Sequence, residues 1–204
     1  WETDNPLRRN RHYLLDKLIK TVPLKDANVS ECGCWKGLST YIISSQLKNI
    51  NFDKKFYIFD SFEGLSEFKT EDRKINQFDQ IKEIKIRKHF SSDLDMVKNN
   101  LNEFKNFTVF YKGWIPSRFN EVNKENFSFV HIDLDLFEPT LDSLNFFGNR
   151  MIKDGIILLD DYGSLDFPGA KLATSKFLEK HKNFSLLPLS FGSAILRKIH
   201  DWFR

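Results

Sequence analysis

Two short apolar runs, Phe127–Ile132 (FSFVHI) and Gly155–Leu159 (GIILL), each stop abruptly at carboxylates. Asp133 and Asp135 follow the first, Asp160 and Asp161 the second. Short runs of β-branched, aromatic and aliphatic residues bounded by a polar break read as buried strands. Between them Pro139–Met151 carries Leu141, Leu144, Phe147 and Met151 at helical spacing, and Pro139 suits a first turn. A strand–helix–strand unit crosses over right-handed and leaves its two strands parallel. All four carboxylates are then expected at the carboxyl end of one sheet, where open α/β sheets bind ligands. Clustered, partly buried acids repel one another. A hard divalent cation such as Mg²⁺, Ca²⁺ or Mn²⁺ relieves that repulsion. Taken singly, each aspartate is as well explained as a helix cap or a solvated turn acid. It is the set of four at two strand ends that points to a metal.

The surrounding chain bounds the answer. At 204 residues with 41% hydrophobic content it is long enough for one domain with a sizeable core, expected to span residues 1–204, and too apolar to be disordered. No apolar run approaches the roughly 20 residues that cross a bilayer. A net charge of +3, with no basic patch interleaved with aromatics, gives no reason to expect nucleic acid. The basic run Lys85–His89 reads as a solvated face. Cys32 and Cys34 are separated by one residue, which makes them poor disulfide partners, and no further Cys/His cluster offers a zinc site. No signal peptide is visible, and the cytoplasm is the expected compartment.

In order, Leu7–Lys20 reads as a helix with Leu14, Leu15, Leu18 and Ile19 on one face. Ala27–Ser30 reads as a first strand that runs into Glu31-Cys32-Gly33-Cys34-Trp35-Lys36-Gly37, and Leu38–Leu47 as the helix after it. Strand, glycine turn, helix is the nucleotide-binding opening of a doubly wound fold, although Trp35 stands where a middle glycine would. Lys55–Phe59 reads as a second strand ending in Asp60, a position from which an acid commonly bonds ribose hydroxyls. Ser66–His89 is polar, with a helix expected around Gln77–Ile86, and a long insertion there suits a lid. Leu94, Val97, Leu101 and Phe104 mark a helix capped by Ser92 or Asp93, and Phe107–Tyr111 a third strand. Lys171–His181 reads as a helix, and Phe184–Pro188 and Ser193–Lys198 as two last strands, in a hairpin through Ser190-Phe191-Gly192.

Five βα units and a terminal pair of strands match the layout of class I S-adenosylmethionine-dependent methyltransferases. The chain resembles the macrocin O-methyltransferase family within that class, which methylates sugar hydroxyls of antibiotics. The resemblance is carried by Glu31–Thr40 (ECGCWKGLST), Asp60–Leu65 (DSFEGL), Lys112–Pro116 (KGWIP), Ile132–Thr140 (IDLDLFEPT) and Leu159–Ala170 (LDDYGSLDFPGA). It implies a Rossmann-like α/β fold, with a mostly parallel seven-stranded sheet, helices on both faces and an antiparallel terminal strand. It implies S-adenosylmethionine and Mg²⁺ as cofactors and a small sugar-containing acceptor, with Asp133, Asp160 and Asp161 as metal ligands and Asp135 as general base. Glu31, Gly33 and Asp60 match cofactor-lining positions, and Trp35, Ser39, Ser61, Phe62, Ser92 and Asp133 are assigned to the same pocket. Members of the family are often dimers, so a homodimer is an expectation. The chain departs from the family at Leu134, where Gly is usual, at Pro139, where Ser is usual, and at Thr174 or Ser175, where an acid is usual.

Two other readings compete. A catechol-type methyltransferase would use a similar site, commonly with Asn in the second motif and Lys as base; Asp161 and Asp135 favour an aliphatic diol instead. A non-catalytic cofactor-binding domain would have little reason to keep four clustered carboxylates. Asp133 and Asp135 are one residue apart, so in a continuing strand both side chains would share a face. One would hold the cation while the other takes the hydroxyl proton.

Overall fold

Alternation along the central strands sets the layers. In the computed structural model, which describes residues 5–73 and 80–199, Ile156 and Leu158 pack into one apolar layer while Ile157 and Leu159 pack into the other. Side chains of a strand point alternately to its two faces, and both faces here are covered, so the run is apolar throughout.

The strands are β1 (Asn28–Cys32), β2 (Phe56–Asp60), β3 (Thr108–Lys112), β4 (Phe127–Ile132), β5 (Met151–Leu159), β6 (Phe184–Pro188) and β7 (Ala194–Lys198). They form one sheet in the order β3-β2-β1-β4-β5-β7-β6. β7 is antiparallel to both of its neighbours, and the other described pairings are parallel. One face is covered by α1 (Pro6–Leu18), α2 (Leu38–Asn49) and α4 (Leu94–Asn100), through Leu15, Leu18, Ile43, Leu47 and Val97. On the other lie α5 (Phe137–Gly148) and α6 (Gly169–Lys180), through Leu144, Phe147 and Phe177. A further helix, α3 (Gln80–His89), buries none of its residues. No helix among the described residues is long and apolar enough to cross a membrane.

Element identities follow the expected fold, and several boundaries move. β1 runs on through Glu31 and Cys32, both fully buried. Met151 opens β5 rather than closing α5, and α5 starts two residues before Pro139, at Phe137. The helix expected through Phe104 breaks after Asn100 into a 3₁₀ turn, Asn102–Phe104. Asp93, not Ser92, caps α4, accepting from the Met96 N–H. Of the expected lead-in and the helix around Gln77–Ile86, residues 1–4 and 77–79 lie outside the described residues.

Candidate active site

Strand register builds the site. Cys32 pairs with Phe59 on one side and Ile132 on the other, and Ile132 pairs with Leu159. The next residue on each strand is therefore Gly33, Asp60, Asp133 and Asp160, side by side at the carboxyl edge. Backbone bonds hold the row: Gly33 N–H to Phe59 O, Asp133 N–H to Cys32 O and Asp160 N–H to Ile132 O, each 2.9 Å. Gly33 has φ +84°, and a Cβ there would stand 1.9 Å from the Asp133 carbonyl oxygen. Only glycine takes this conformation and this approach at once.

One ligand atom from each of Asp133, Asp160 and Asp161 lies within 4.8 Å of the others. Burial, then the neighbouring carboxylates, pushes Asp133 and Asp135 well above the usual carboxylate range. The same causes push Asp161 up to about 6. Burial would raise Asp160 too, but His131 and Arg11 hold it below its ordinary value. Arg11 Nη1 stands 2.6 Å from Asp160 Oδ2 and 3.5 Å from Asp161 Oδ1. His131 lies beneath. Its Nδ1 is 2.9 Å from Glu31 Oε1, and its Nε2 makes a looser ion pair with Asp160 Oδ1 at 3.9 Å. Burial opposes charging of that imidazole, yet the Asp160 and Glu31 carboxylates push it up to about 10.

Asp135 is not on a continuing strand. β4 ends at Ile132, and Asp135 has φ +60° between Leu134 O and Leu136 N–H, which bond at 2.6 Å. This tight turn replaces the shared strand face as the reason Asp133 and Asp135 reach one cavity. The Asp135 N–H donates to Asp161 Oδ2 at 3.1 Å, which ties the turn to the second strand's acids. The next helix, α5, begins at once, and its Phe137 N–H is capped by Asp72 Oδ1 at 2.6 Å. Asp72 also accepts from the Lys69 N–H and lies against Gly169 at the start of α6. Through it the segment after β2 is fastened to the acidic end of the sheet. Phe68, buried in that segment, packs edge-on against Phe167 at 6.0 Å.

A cavity of about 880 Å³ opens over the row. Its walls include Gly33, Trp35, Ser39, Asp60, Ser61 and all four clustered aspartates. Asp60 accepts three backbone N–H bonds, from Cys34 (2.8 Å) and Trp35 (3.0 Å) on Oδ2 and from Phe62 (2.6 Å) on Oδ1. Burial still raises its pKa against those bonds. The Ser61 hydroxyl is engaged in its own turn, accepting from Glu63 N–H and donating to Gly64 O. Glu31, Phe62 and Ser92 are not on the wall. Glu31 lies below it, between Thr40 and His131. Phe62 is a core residue, and the Ser92 hydroxyl donates to Trp35 O at 2.6 Å.

Arg11, His131 and Asp72 were not singled out from sequence. Arg11 shares a helix face with Leu15 and Leu18, and His131 interrupts an apolar strand. Both are charge-bearing groups in an apolar pattern, a signal worth reading. Asp72 has no such signature.

The family model described as macrocin-O-methyltransferase (TylF) matches residues 8–187. A curated relative from Streptomyces olivaceus, 8-demethyl-8-(2,3-dimethoxy-alpha-L-rhamnosyl)-tetracenomycin-C 4'-O-methyltransferase, is 23% identical over 139 residues, 65% of this chain. The chain spans about half the length of that relative (51%). Among solved structures, the O-methyltransferase NovP superposes with a TM-score of 0.73 at 18% identity, covering 93% of this chain and 80% of NovP. The calicheamicin methyltransferase CalS11 gives 0.66 at 19% identity, covering 96% and 94%. At such identities the two structures bear on the fold alone.

Proposed function

The chain belongs to the macrocin-O-methyltransferase family, and from that premise we propose that it moves a methyl group from S-adenosylmethionine to a hydroxyl of a sugar or sugar-containing natural product, with a divalent cation, Mg²⁺ foremost, at Asp133, Asp160 and Asp161. One observation carries the reading: the glycine turn after β1 and the acidic cluster after β4 and β5 open onto the same cavity. Its volume of about 880 Å³ falls within the ~300–1,000 Å³ of small-molecule sites. The relative's name specifies a rhamnosyl unit, which supports a sugar as acceptor here.

The carboxylates suit a hard cation. Mg²⁺ takes oxygen ligands at about 2.1 Å and is commonly held by one or two carboxylates together with substrate and water oxygens. Asp133, Asp160 and Asp161 each offer an oxygen within 4.8 Å of the others, so modest side-chain movement would bring the three onto one cation. A cation held there would polarise an acceptor hydroxyl and lower its pKa.

The chain's own groups do the rest. The Gly33 backbone and the Asp60 carboxylate would seat the cofactor, with Asp60 Oδ1, which accepts a single N–H, facing the ribose hydroxyls. Glu31, Phe62 and Ser92 support this wall from behind. Asp135 is the proton acceptor. Burial and the neighbouring carboxylates raise its proton affinity, which favours taking a proton from the acceptor hydroxyl. In the transfer, the hydroxyl oxygen bonds to the methyl carbon and the carbon–sulfur bond breaks. Its electron pair stays on sulfur as a neutral thioether, and the hydroxyl proton passes to Asp135. Proximity and in-line placement supply the remaining acceleration.

The test is transfer of labelled methyl from S-adenosylmethionine to rhamnose-bearing acceptors, with and without chelator. Transfer that stops in chelator and returns with Mg²⁺ is expected. Undiminished transfer in excess chelator would remove the cation, and failure to bind S-adenosylhomocysteine would remove the cofactor.

A further inference from the structure

Arg11 enters the acidic cluster from α1, distant in sequence from the strands that supply the carboxylates. Its guanidinium occupies a built slot. Nη1 bonds Asp160 Oδ2 at 2.6 Å and approaches Asp161 Oδ1 to 3.5 Å, while Nε donates to Phe191 O at 3.3 Å. The remaining nitrogen lies against Gly192, where a Cβ would stand 2.9 Å from Nη2. Gly192 is itself bonded through its carbonyl to the Gly163 N–H, two residues past Asp161. Helix α1, the β6–β7 hairpin tip and the loop after β5 therefore meet at one guanidinium.

That guanidinium rests on two of the three carboxylates proposed as cation ligands. A carboxylate that shares its charge with a guanidinium offers less to a second cation. Two cations a few ångströms apart in a partly desolvated site also repel strongly. Without any cation, Asp160 and Asp161 would repel each other. Arg11 offsets part of that pair's charge and makes no ion pair with Asp133.

We propose that Arg11 is a built-in competitor for the cation site: the guanidinium and a divalent cation bind the Asp160–Asp161 pair antagonistically, so metal occupancy is linked to the seating of α1 and the hairpin tip. The proposal rests on the reading of Asp133, Asp160 and Asp161 as a metal site. Linkage is reciprocal, so whatever loosens Arg11 strengthens cation binding by the same factor that the cation loosens Arg11.

The experiment titrates Mn²⁺ into the cofactor-free full chain, following free Mn²⁺ by electron paramagnetic resonance, for the parent, R11Q and R11K. R11Q should bind Mn²⁺ about tenfold more tightly, and R11K, which keeps the charge, should stay close to the parent. A structural role alone predicts the reverse, because losing an orienting contact weakens a metal site. R11Q binding equal to or weaker than the parent's overturns the proposal, as does R11K behaving like R11Q. A second readout needs no variant: amide exchange across residues 6–18 of the parent should quicken when Mn²⁺ is added, and unchanged exchange overturns the linkage. If Mn²⁺ binds to neither parent nor R11Q, the metal reading itself fails and takes this one with it.

Discussion

Replacing His131 by leucine isolates the charge that supports the acidic edge from below. His131 is 2% exposed and Glu31 is fully buried, with 2.9 Å between Nδ1 and Oε1. Removing the imidazolium leaves the Glu31 carboxylate with Thr40 as its remaining side-chain partner among the described residues. Breaking a buried pair from one side costs about 3–5 kcal/mol. Titration gives a second route to the magnitude. The imidazole is pushed from 6.5 up to about 10, and at ~1.4 kcal/mol per unit that is on the order of 5 kcal/mol. For a chain of this size, ~2–4 °C per kcal/mol makes the loss roughly 6–20 °C in Tm. The sign with pH follows from a folded pKa above the unfolded one. The stabilisation is fully present below about pH 6.5 and is lost as pH rises through about 10. Urea unfolding of parent and H131L, in chelator, at pH 6 and pH 9.5 is the assay. The stability gap should be several kcal/mol at pH 6 and shrink by most of that amount at pH 9.5. Adding Glu31→Gln to H131L should recover much of the loss, because no buried charge is then left alone. A gap that is small, or that does not move with pH, would mean that no charged imidazole supports the site.

Asp135→Asn keeps the turn's shape and removes the proton acceptor, so turnover should fall roughly 10²–10⁴-fold while Mn²⁺ and S-adenosylhomocysteine affinities hold. That loss should narrow at high pH, and loss of Mn²⁺ affinity in step with turnover would make Asp135 a ligand. Asp133→Ala or Asp160→Ala should abolish the Mn²⁺ response and leave S-adenosylhomocysteine binding within a few-fold of the parent; calorimetry of both ligands checks this, and an intact Mn²⁺ isotherm would contradict it. Asp60→Ala strips the acceptor from three backbone N–H groups, each costing ~1–3 kcal/mol when left buried and unpaired. Its S-adenosylhomocysteine affinity should drop at least about tenfold, and parent-like affinity would show that Asp60 neither binds the ribose nor shapes the loop.

The central strands were legible because both of their faces are buried, which leaves a continuous apolar run ended by acids. The site's register came with them, since Asp133 and Asp160 follow directly on paired residues. Local pattern does not show what a distant partner supplies. Arg11 meets Asp160 across 149 residues of sequence, and His131 meets Glu31 across 100. Pro139 does lie in the first turn of α5, but the helix starts two residues earlier for the same reason: the cap on Phe137 comes from Asp72, 65 residues away in sequence. Helix α3 was hard to place because Ile81 and Ile84 are exposed, so no apolar face marks it. Its C-terminal end is held by main-chain and guanidinium bonds between Leu65 and Arg87 instead.

The Asp72 cap joins two kinds of motion into one free-energy term. Its carboxylate belongs to the segment after β2, and the N–H it caps opens the helix that directly follows Asp135. A helix N-cap is worth about 0.5–2 kcal/mol. Any excursion of residues 65–73 that withdraws Asp72 carries that penalty, which lowers the population of such states by roughly 2- to 30-fold. The same excursion frays the first turn of α5. Leu65, Ser66 and Asp135 line the same cavity, so if this segment gates it and Asp135 is the proposed proton acceptor, access and order at that residue would not be independent variables: a conformer that opened the cavity would also hold Asp135 less well.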